Sequence, residues 1–366
     1  MRRRYHKRRW TLVCFFTVML ILPAAAVIPK SGGRSSAYPY AKETGTSPAD
    51  ATCWNVASDG YGWGEEESAD VPETADAVTE VTSSDPGEKP YPTDWDLSSD
   101  TAIRRTSYGT YSGERFFSLF TAGQVQNKTS IPNNTLIAES TAAPGFQIET
   151  NGEPQVLIMH THTTETFEPF VREQFDPNFN YRTTDPAYNM VSVGNAITAQ
   201  LESAGIGVIH NTTIHDYPSY NGSYDRSAET VKSILAQYPS IRVVLDIHRD
   251  AIQSGNTLTQ PVVEINGKES AQVMIISGCD DGTMNMPNYM QNYHFACRLQ
   301  ENMEGMFPGL TRPILFDYRH YNQDLTTGSL LLEVGTHGNT LEQAQYAGEL
   351  VGKALSQTLL KLKAEE

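Results

Sequence analysis

Apolar and polar residues alternate in blocks over the second half of the chain. Short apolar runs at 156–159 and 241–247 have the length and composition of buried strands. Between them, residues 190–204 carry apolar side chains at helical spacing, and Gly205 follows as a stop signal. This alternation of strands and amphipathic helices predicts an α/β domain with a mainly parallel sheet covered by helices.

Further segments extend the same pattern. The sequence predicts strands at 206–209 and 330–334, helices at 226–237, 290–306 and 341–363, and a hairpin that joins 260–265 to 273–277 around Asn266-Gly267. Residues 101–153 form an ambiguous connecting region. Within it, 115–120 has the character of a short docking helix, and 132–154 reads as loops with room for one strand.

The amino-terminal residues have the pattern of a membrane anchor. Residues 1–10 carry six Lys or Arg and no acid, and residues 11–28 form an almost unbroken apolar run. Basic residues before an apolar segment of this length predict a single span with the rest of the chain outside the cytoplasm. Ala24-Ala25-Ala26 also fits a cleavage site, so a removed signal peptide is the alternative.

Residues 29–100 are polar and strongly acidic. Between positions 61 and 100 there are twelve acids, and Lys89 is the one base. Low hydrophobicity with charge of one sign predicts a disordered linker. The segments 1–10, 11–28, 29–100 and 101–153 thus lead to a folded catalytic domain at 154–366.

Composition excludes two kinds of site. The formal net charge of −16 disfavours binding to nucleic acid, whose phosphates repel an acidic surface. None of the four cysteines lies in a C-x-x-C pair, which excludes a cysteine zinc knuckle. Cys279 and Cys297 could pair in an oxidising compartment, although one is expected at a strand end and the other within a helix.

Titratable side chains follow three of the predicted strands. The first strand runs into HTHTTE at 160–165, the central strand ends in DIHRD at 246–250, and the last strand carries Glu333 with His337 shortly after it. Ligands of open α/β sheets bind beyond the carboxyl ends of the strands. Two histidines and a carboxylate form a common catalytic zinc set, and a further carboxylate can act as general base. A lone histidine is usually structural, but the coincidence on three strands predicts a metal site.

The motifs HTHTTE, DIHRDA and LLLEVG, in this order, resemble those of the stage II sporulation protein P family, over about 154–360. The resemblance implies an amidase_3-like fold and a membrane-anchored, zinc-dependent peptidoglycan hydrolase of the sporulation septum. Its expected activity is that of an N-acetylmuramoyl-L-alanine amidase, with endopeptidase activity on crosslinks, during engulfment. The implied partners are a lytic transglycosylase (stage II sporulation protein D) and a membrane protein (stage II sporulation protein M).

Carried onto this chain, the resemblance implies that His162 and His248 bind zinc and that Glu333 is the general base. The general amidases supply a ligand glutamate at a later helix start, where this chain has no acid, so Glu165 is the expected substitute. The alternatives for this third ligand are His160, Glu168, Glu173, Asp176 and Asp185. Further candidates for the site are Arg249, Asp250 and His337.

Two other functions remain open at this point. A zinc endopeptidase or carboxypeptidase acting only on stem peptides would use the same metal chemistry. A catalytically silent scaffold that binds the cell wall would keep the fold but would have no use for Glu333. Serine hydrolysis is disfavoured because Gly328-Ser329 is not part of a G-x-S-x-G elbow.

Overall fold

The computed structural model describes Tyr91, residues 94–97 and residues 100–364. The predicted basic segment 1–10, the predicted anchor 11–28 and most of the predicted linker lie outside these residues. Within the described part of the chain, no helix combines the length and the apolar character needed to cross a membrane.

The described residues form twelve strands and five helices. In chain order the strands are β1 (Ala102–Thr106), β2 (Phe116–Ser118), β3 (Gln124–Asn127), β4 (Pro154–Met159), β5 (Gly207–His210), β6 (Val243–Asp250), β7 (Gln253–Ser254), β8 (Thr257–Ile265), β9 (Lys268–Ala271), β10 (Val273–Gly278), β11 (Ile314–Asp317) and β12 (Ser329–Thr336). The helices are α1 (Asn133–Glu139), α2 (Met190–Ser203), α3 (Ser223–Gln237), α4 (Tyr289–Met306) and α5 (Leu341–Leu360).

Eight strands form one sheet in the order β2-β3-β11-β10-β12-β6-β4-β5. Five of its seven neighbouring pairs are parallel, and the β2–β3 and β10–β12 pairs are antiparallel. The α/β class is confirmed, but the sheet is mixed because β3, β10 and β11 run against the block β12-β6-β4-β5.

A smaller sheet contains β1, β7, β8 and β9. The predicted turn at Asn266-Gly267 is present, and both residues have the positive φ values, 53° and 76°, that a tight hairpin turn requires. The predicted partner was wrong, since β8 pairs with β9 across this turn. The strand at 273–277 belongs instead to the large sheet, as β10.

The connecting region 101–153 contributes to both sheets. The short helix expected at 115–120 is wrong, because these residues contain β2, which pairs with β3 and buries Phe117 beside Val125. A single helix, α1, lies where loops with room for one strand were expected. Strand β3 joins the large sheet by pairing with β11, far along the chain, which local composition does not report.

Helices cover both faces of the large sheet. Residues of α2, α4 and α5 share one apolar core with the inward side chains of β4, β6 and β12. On the opposite face, Val231 of α3 packs with Leu157, Met159 and Val244. Helix α5 begins with a capping box between Thr340 and Gln343. Cys279 and Cys297 are buried free thiols.

Candidate active site

The three predicted motifs meet at the carboxyl ends of β4, β6 and β12. In the parallel register Met159 lies beside Asp246, and His248 lies beside Glu333. Side chains alternate between the two faces of a strand, so Asp246 and His248 share a face with Glu333. The loop that follows β4 brings His162 to the same face, where its ring contacts that of His248.

The two predicted metal-binding imidazoles are in contact, with the edge of one ring against the face of the other. The ring centroids of His162 and His248 are 5.1 Å apart, and the rings are nearly perpendicular at 80°. Both side chains are buried. Burial, followed by the nearby charges of His248 and Arg182, holds the pKa of His162 well below its usual value, so His162 is neutral. A neutral imidazole is the form that binds a metal.

Two tyrosines line the histidine pair. The ring of Tyr220 stacks on that of His162 at 4.6 Å with an interplanar angle of 9°, and Tyr224 stacks on His248 at 6.3 Å. The Tyr220 hydroxyl is 3.1 Å from Nε2 of His162. If this hydroxyl bonded to Nε2 in the plane of the imidazole, the centroids of the two rings would lie about 7 Å apart. The observed distance between them is 4.6 Å. The hydroxyl therefore lies over the face of the imidazole, and Tyr220 orients the ring without blocking its plane.

Asp246 holds His248 in place. Its Oδ1 is 2.8 Å from Nε2 of His248, off-axis for a hydrogen bond but within ion-pair distance. The same carboxylate accepts hydrogen bonds from the backbone N–H and the hydroxyl of Thr161, at 2.8 and 2.6 Å. Burial by itself would lower the pKa of His248, but the charge of Asp246 raises it to about 9. Such a carboxylate–histidine pair directs the other ring nitrogen toward a ligand.

Glu333 lies beside His248 in a poorly solvated position. The residue keeps some surface exposure, but its Oε2 is enclosed and has no hydrogen-bond partner within the described residues. Burial and the neighbouring Asp250 raise the pKa of Glu333 to about 8, against the opposing effect of His248. A carboxyl group with a pKa in this range can both accept and release a proton near neutral pH.

Glu165 contacts two arginines next to the histidine pair. Its Oε2 accepts a hydrogen bond of 3.2 Å from the backbone N–H of Arg249. Its Oε1 accepts none from the described residues and lies 3.8 Å from Arg249 Nη1 and 4.0 Å from Arg182 Nη2. Glu165 contributes to the raised pKa of His248, so it is electrostatically close to that ring.

A profile of the family described as Stage II sporulation protein P (SpoIIP) matches residues 98–356, which include all three motifs. The chain belongs to this family. The Stage II sporulation protein P of Bacillus subtilis (strain 168) is 33% identical over 223 residues, which cover 57% of this chain and 52% of that protein. This member of the family therefore spans about half the length of that relative.

Solved amidase structures show a weak likeness. The N-acetylmuramoyl-L-alanine amidase AmiC2 of Nostoc punctiforme aligns with a TM-score of 0.35 and 10% identity, over 57% of this chain and 96% of that chain. The CwlD amidase from Clostridioides difficile, solved in complex with the GerS lipoprotein, aligns with a TM-score of 0.35 and 12% identity, over 57% and 98%. Scores at this level do not by themselves support a shared fold or reaction.

The histidine pair of this family member fits a zinc ion in two respects. Zinc–nitrogen bonds of about 2.0–2.1 Å at a tetrahedral angle place two imidazole centroids about 5 Å apart, as His162 and His248 are. The enclosed Oε1 of Glu165 and Oε2 of Glu333 are also unsatisfied acceptors at the same sheet edge. Among the described residues, however, no group of three His, Cys, Asp or Glu side chains is already arranged around one point. A third ligand would have to turn toward the pair.

His160 lies on the other side of the sheet edge from this pair. Its Nδ1 is 2.9 Å from the carbonyl oxygen of Ile247, and its Nε2 is 2.9 Å from Nε2 of His210. Both ring nitrogens are therefore engaged. Gly194 leaves room for the two rings, since a Cβ there would lie 2.5 Å from His210 Nε2 and 2.8 Å from His160 Nε2. His215 is buried as well.

The other candidates make structural contacts. Asp250 pairs with Arg312 at 2.8 Å, and the ring of His337 packs on Tyr181 at 5.1 Å. Arg249 donates from Nε to the carbonyl of Thr166. The remaining acids lie in the loop after Glu165. Glu168 pairs with Arg172, and the side chains of Asp176 and Asp185 accept backbone N–H groups within turns. Glu173 accepts a hydrogen bond through its backbone carbonyl.

Several residues of the site were not expected from the sequence. Asp246 pairs with His248, a role that its place in the DIHRD motif did not assign. The two-residue spacing of Asp246 and His248 on one strand was a usable signal, because it puts both on one face. Tyr220 and Tyr224 lie before and within α3, and no motif or periodicity connects them with the histidines.

Proposed function

We propose that this chain is a zinc-dependent peptidoglycan hydrolase, an N-acetylmuramoyl-L-alanine amidase with endopeptidase activity on peptide crosslinks. The observation that carries the proposal is the contact between the rings of His162 and His248, with Glu333 beside His248 in the parallel register. Membership of the Stage II sporulation protein P family supports a role in wall degradation and engulfment during sporulation.

In this proposal His162 and His248 would hold the zinc ion, and Glu165 is the expected third ligand. When bound, zinc supplies Lewis-acid activation of the scissile carbonyl and of water. Glu333 would accept the proton of the attacking water and pass it to the leaving amide nitrogen. Asp246 and Tyr220 keep the two imidazoles in their orientation.

The proposed location is the outer side of the cell membrane at the sporulation septum. The basic segment 1–10 followed by the apolar segment 11–28 supports a single-pass anchor. Peptidoglycan is the proposed substrate, and the proposed protein partners are stage II sporulation proteins D and M. Co-purification of tagged chain with either protein from detergent extracts of sporulating cells would test these partners, with an anchor-only fragment as the control bait.

The decisive experiment identifies the bond that is cut. Full-length chain in detergent is incubated with purified peptidoglycan, with and without chelator, and the products are identified by mass. We expect free stem peptides that begin with L-alanine, their loss on chelation, and their return on addition of zinc. The control His294→Ala changes a histidine on α4, outside the site, and should keep full activity.

Other outcomes would contradict the proposal in distinct ways. Peptides that stay attached to muramic acid while crosslinks disappear would indicate an enzyme for stem peptides only. Binding to peptidoglycan without any new product would indicate a silent scaffold. Release that is unaffected by chelation would exclude a role for zinc.

A further inference from the structure

Two aromatic residues from the end of the predicted linker pack against the catalytic domain. We call Tyr91 and residues 94–97 the strap, and residues 166–188, which follow Glu165, the active-site loop. The ring of Tyr91 lies 5.3 Å from that of Tyr188, and the ring of Trp95 lies 5.3 Å from that of Phe179. The backbone N–H of Asp96 donates to a carboxylate of the same loop at 3.1 Å. The strap therefore contacts the loop at several points.

Trp95 covers a buried charge within the active-site loop. The guanidinium carbon of Arg172 lies 4.1 Å from the centre of the Trp95 ring. Arg172 pairs with Glu168, and the two side chains are only 5% and 0% exposed. Within the described residues the guanidinium makes no hydrogen bond besides this ion pair. Burial removes both groups from water at a cost in free energy, so this ion pair depends on the other groups that stabilise its charge, and the face of the Trp95 ring is one of them.

From Glu168 a continuous set of contacts leads to the candidate active site. The hydroxyl of Tyr181 donates to Glu168. The backbone carbonyl of Tyr181 accepts from Nη2 of Arg249 and from the N–H of Thr166, each at 3.0 Å. The backbone N–H of Arg249 in turn donates to Glu165. Each link is a hydrogen bond between buried or half-buried groups.

We propose that Trp95 is a positioning residue for the active site. By covering the pair of Arg172 and Glu168, it holds the active-site loop in the conformation that places Glu165 and Arg249. Among the described residues, few other groups shield the ion pair from solvent, since the neighbouring Phe170 is itself 50% exposed. The conformation of the loop therefore depends on its contacts with the strap. A movement of the linker that displaced the strap would change the positions of Glu165 and Arg249. The expected effect on turnover rests on the proposed function, whereas the effect on the loop does not.

Hydrogen exchange followed by mass spectrometry tests this role on the full-length chain. In Trp95→Ala we expect exchange on the order of tenfold faster for loop amides such as those of Thr166 and Thr183, which donate to the carbonyls of Tyr181 and Thr164. Amides of β4 and α5 should exchange as in the unmodified chain. Trp95→Phe keeps an aromatic face over Arg172 and should restore most of the protection. Phe120→Ala, at an 87% exposed position on the β2–β3 turn, is the control.

Three outcomes would overturn the proposal. In the first, the loop amides of Trp95→Ala exchange as in the unmodified chain. In the second, exchange in Trp95→Ala is faster throughout the domain. In the third, Trp95→Phe exchanges like Trp95→Ala. Release of stem peptides is measured on the same samples and should fall with Trp95→Ala and recover with Trp95→Phe. If even the unmodified chain releases nothing, the proposed function fails, and the exchange data still decide the role of Trp95.

Discussion

The pair of Asp246 and His248 allows a quantitative prediction for Asp246→Asn. Asparagine keeps the size and one acceptor oxygen, so the backbone N–H of Thr161 can remain bonded. The substitution removes the negative charge that lies 2.8 Å from Nε2 of His248. Burial is then opposed only by the more weakly acting charges of Glu165 and Glu333, so the pKa of His248 should fall.

The size of the effect follows from the pKa of His248. In the metal-free protein this pKa is raised from 6.5 to about 9, which corresponds to about 3 kcal/mol. A raised folded-state pKa stabilises the protein fully below pH 6.5, and the stabilisation is lost as the pH rises through about 9. Asp246→Asn should therefore cost about 3 kcal/mol more near pH 6 than near pH 10, where His248 is neutral and the ion pair is absent.

Urea denaturation in the presence of chelator, at pH 6 and at pH 10, measures this difference. Because Glu333 also titrates, with a pKa of about 8, each variant is compared with the unmodified chain at the same pH. Asp317→Asn, which changes a strand-end aspartate paired with Arg319, should cost the same at both values. An equal loss for Asp246→Asn at both pH values would refute the reasoning, since Asp246 would then act through Thr161 alone. In the zinc-loaded protein, the substitution should weaken zinc binding by about 10–100-fold.

Four other substitutions and one labelling experiment test the remaining steps. Glu333→Gln should keep its zinc and lower turnover by about 10²–10⁴-fold, and loss of zinc would instead identify Glu333 as a ligand. His162→Ala and His248→Ala should each lose zinc and activity, and full zinc occupancy measured by mass would contradict the assignment. Gly194→Ala should cost about 1–3 kcal/mol in urea denaturation, since its Cβ would clash with the rings of His160 and His210. A membrane-impermeant thiol label should reach a cysteine placed in 61–100 on intact cells, and labelling only after lysis would reverse the proposed orientation.

Much of the candidate site and of the strands that carry it could be predicted from local sequence. The runs that became β4, β6 and β12 are apolar on both faces, as expected for strands buried under helices. Because parallel strands end together, the positions of His162, His248 and Glu333 at one sheet edge followed from the strand assignment. The side-chain period of two could also have placed Asp246 beside His248.

What the sequence by itself determined is therefore the α/β class, the main helices and strands of residues 154–366, and the sheet edge that carries the candidate site. Only the tertiary structure decided the partners: β10 with β12, β3 with β11, Tyr220 over His162, and Trp95 over Arg172. The physical reason is the range of the interactions involved. Periodicity reports which face of an element is buried, whereas ring stacking and strand pairing join residues far apart in the chain that only the folded structure brings together.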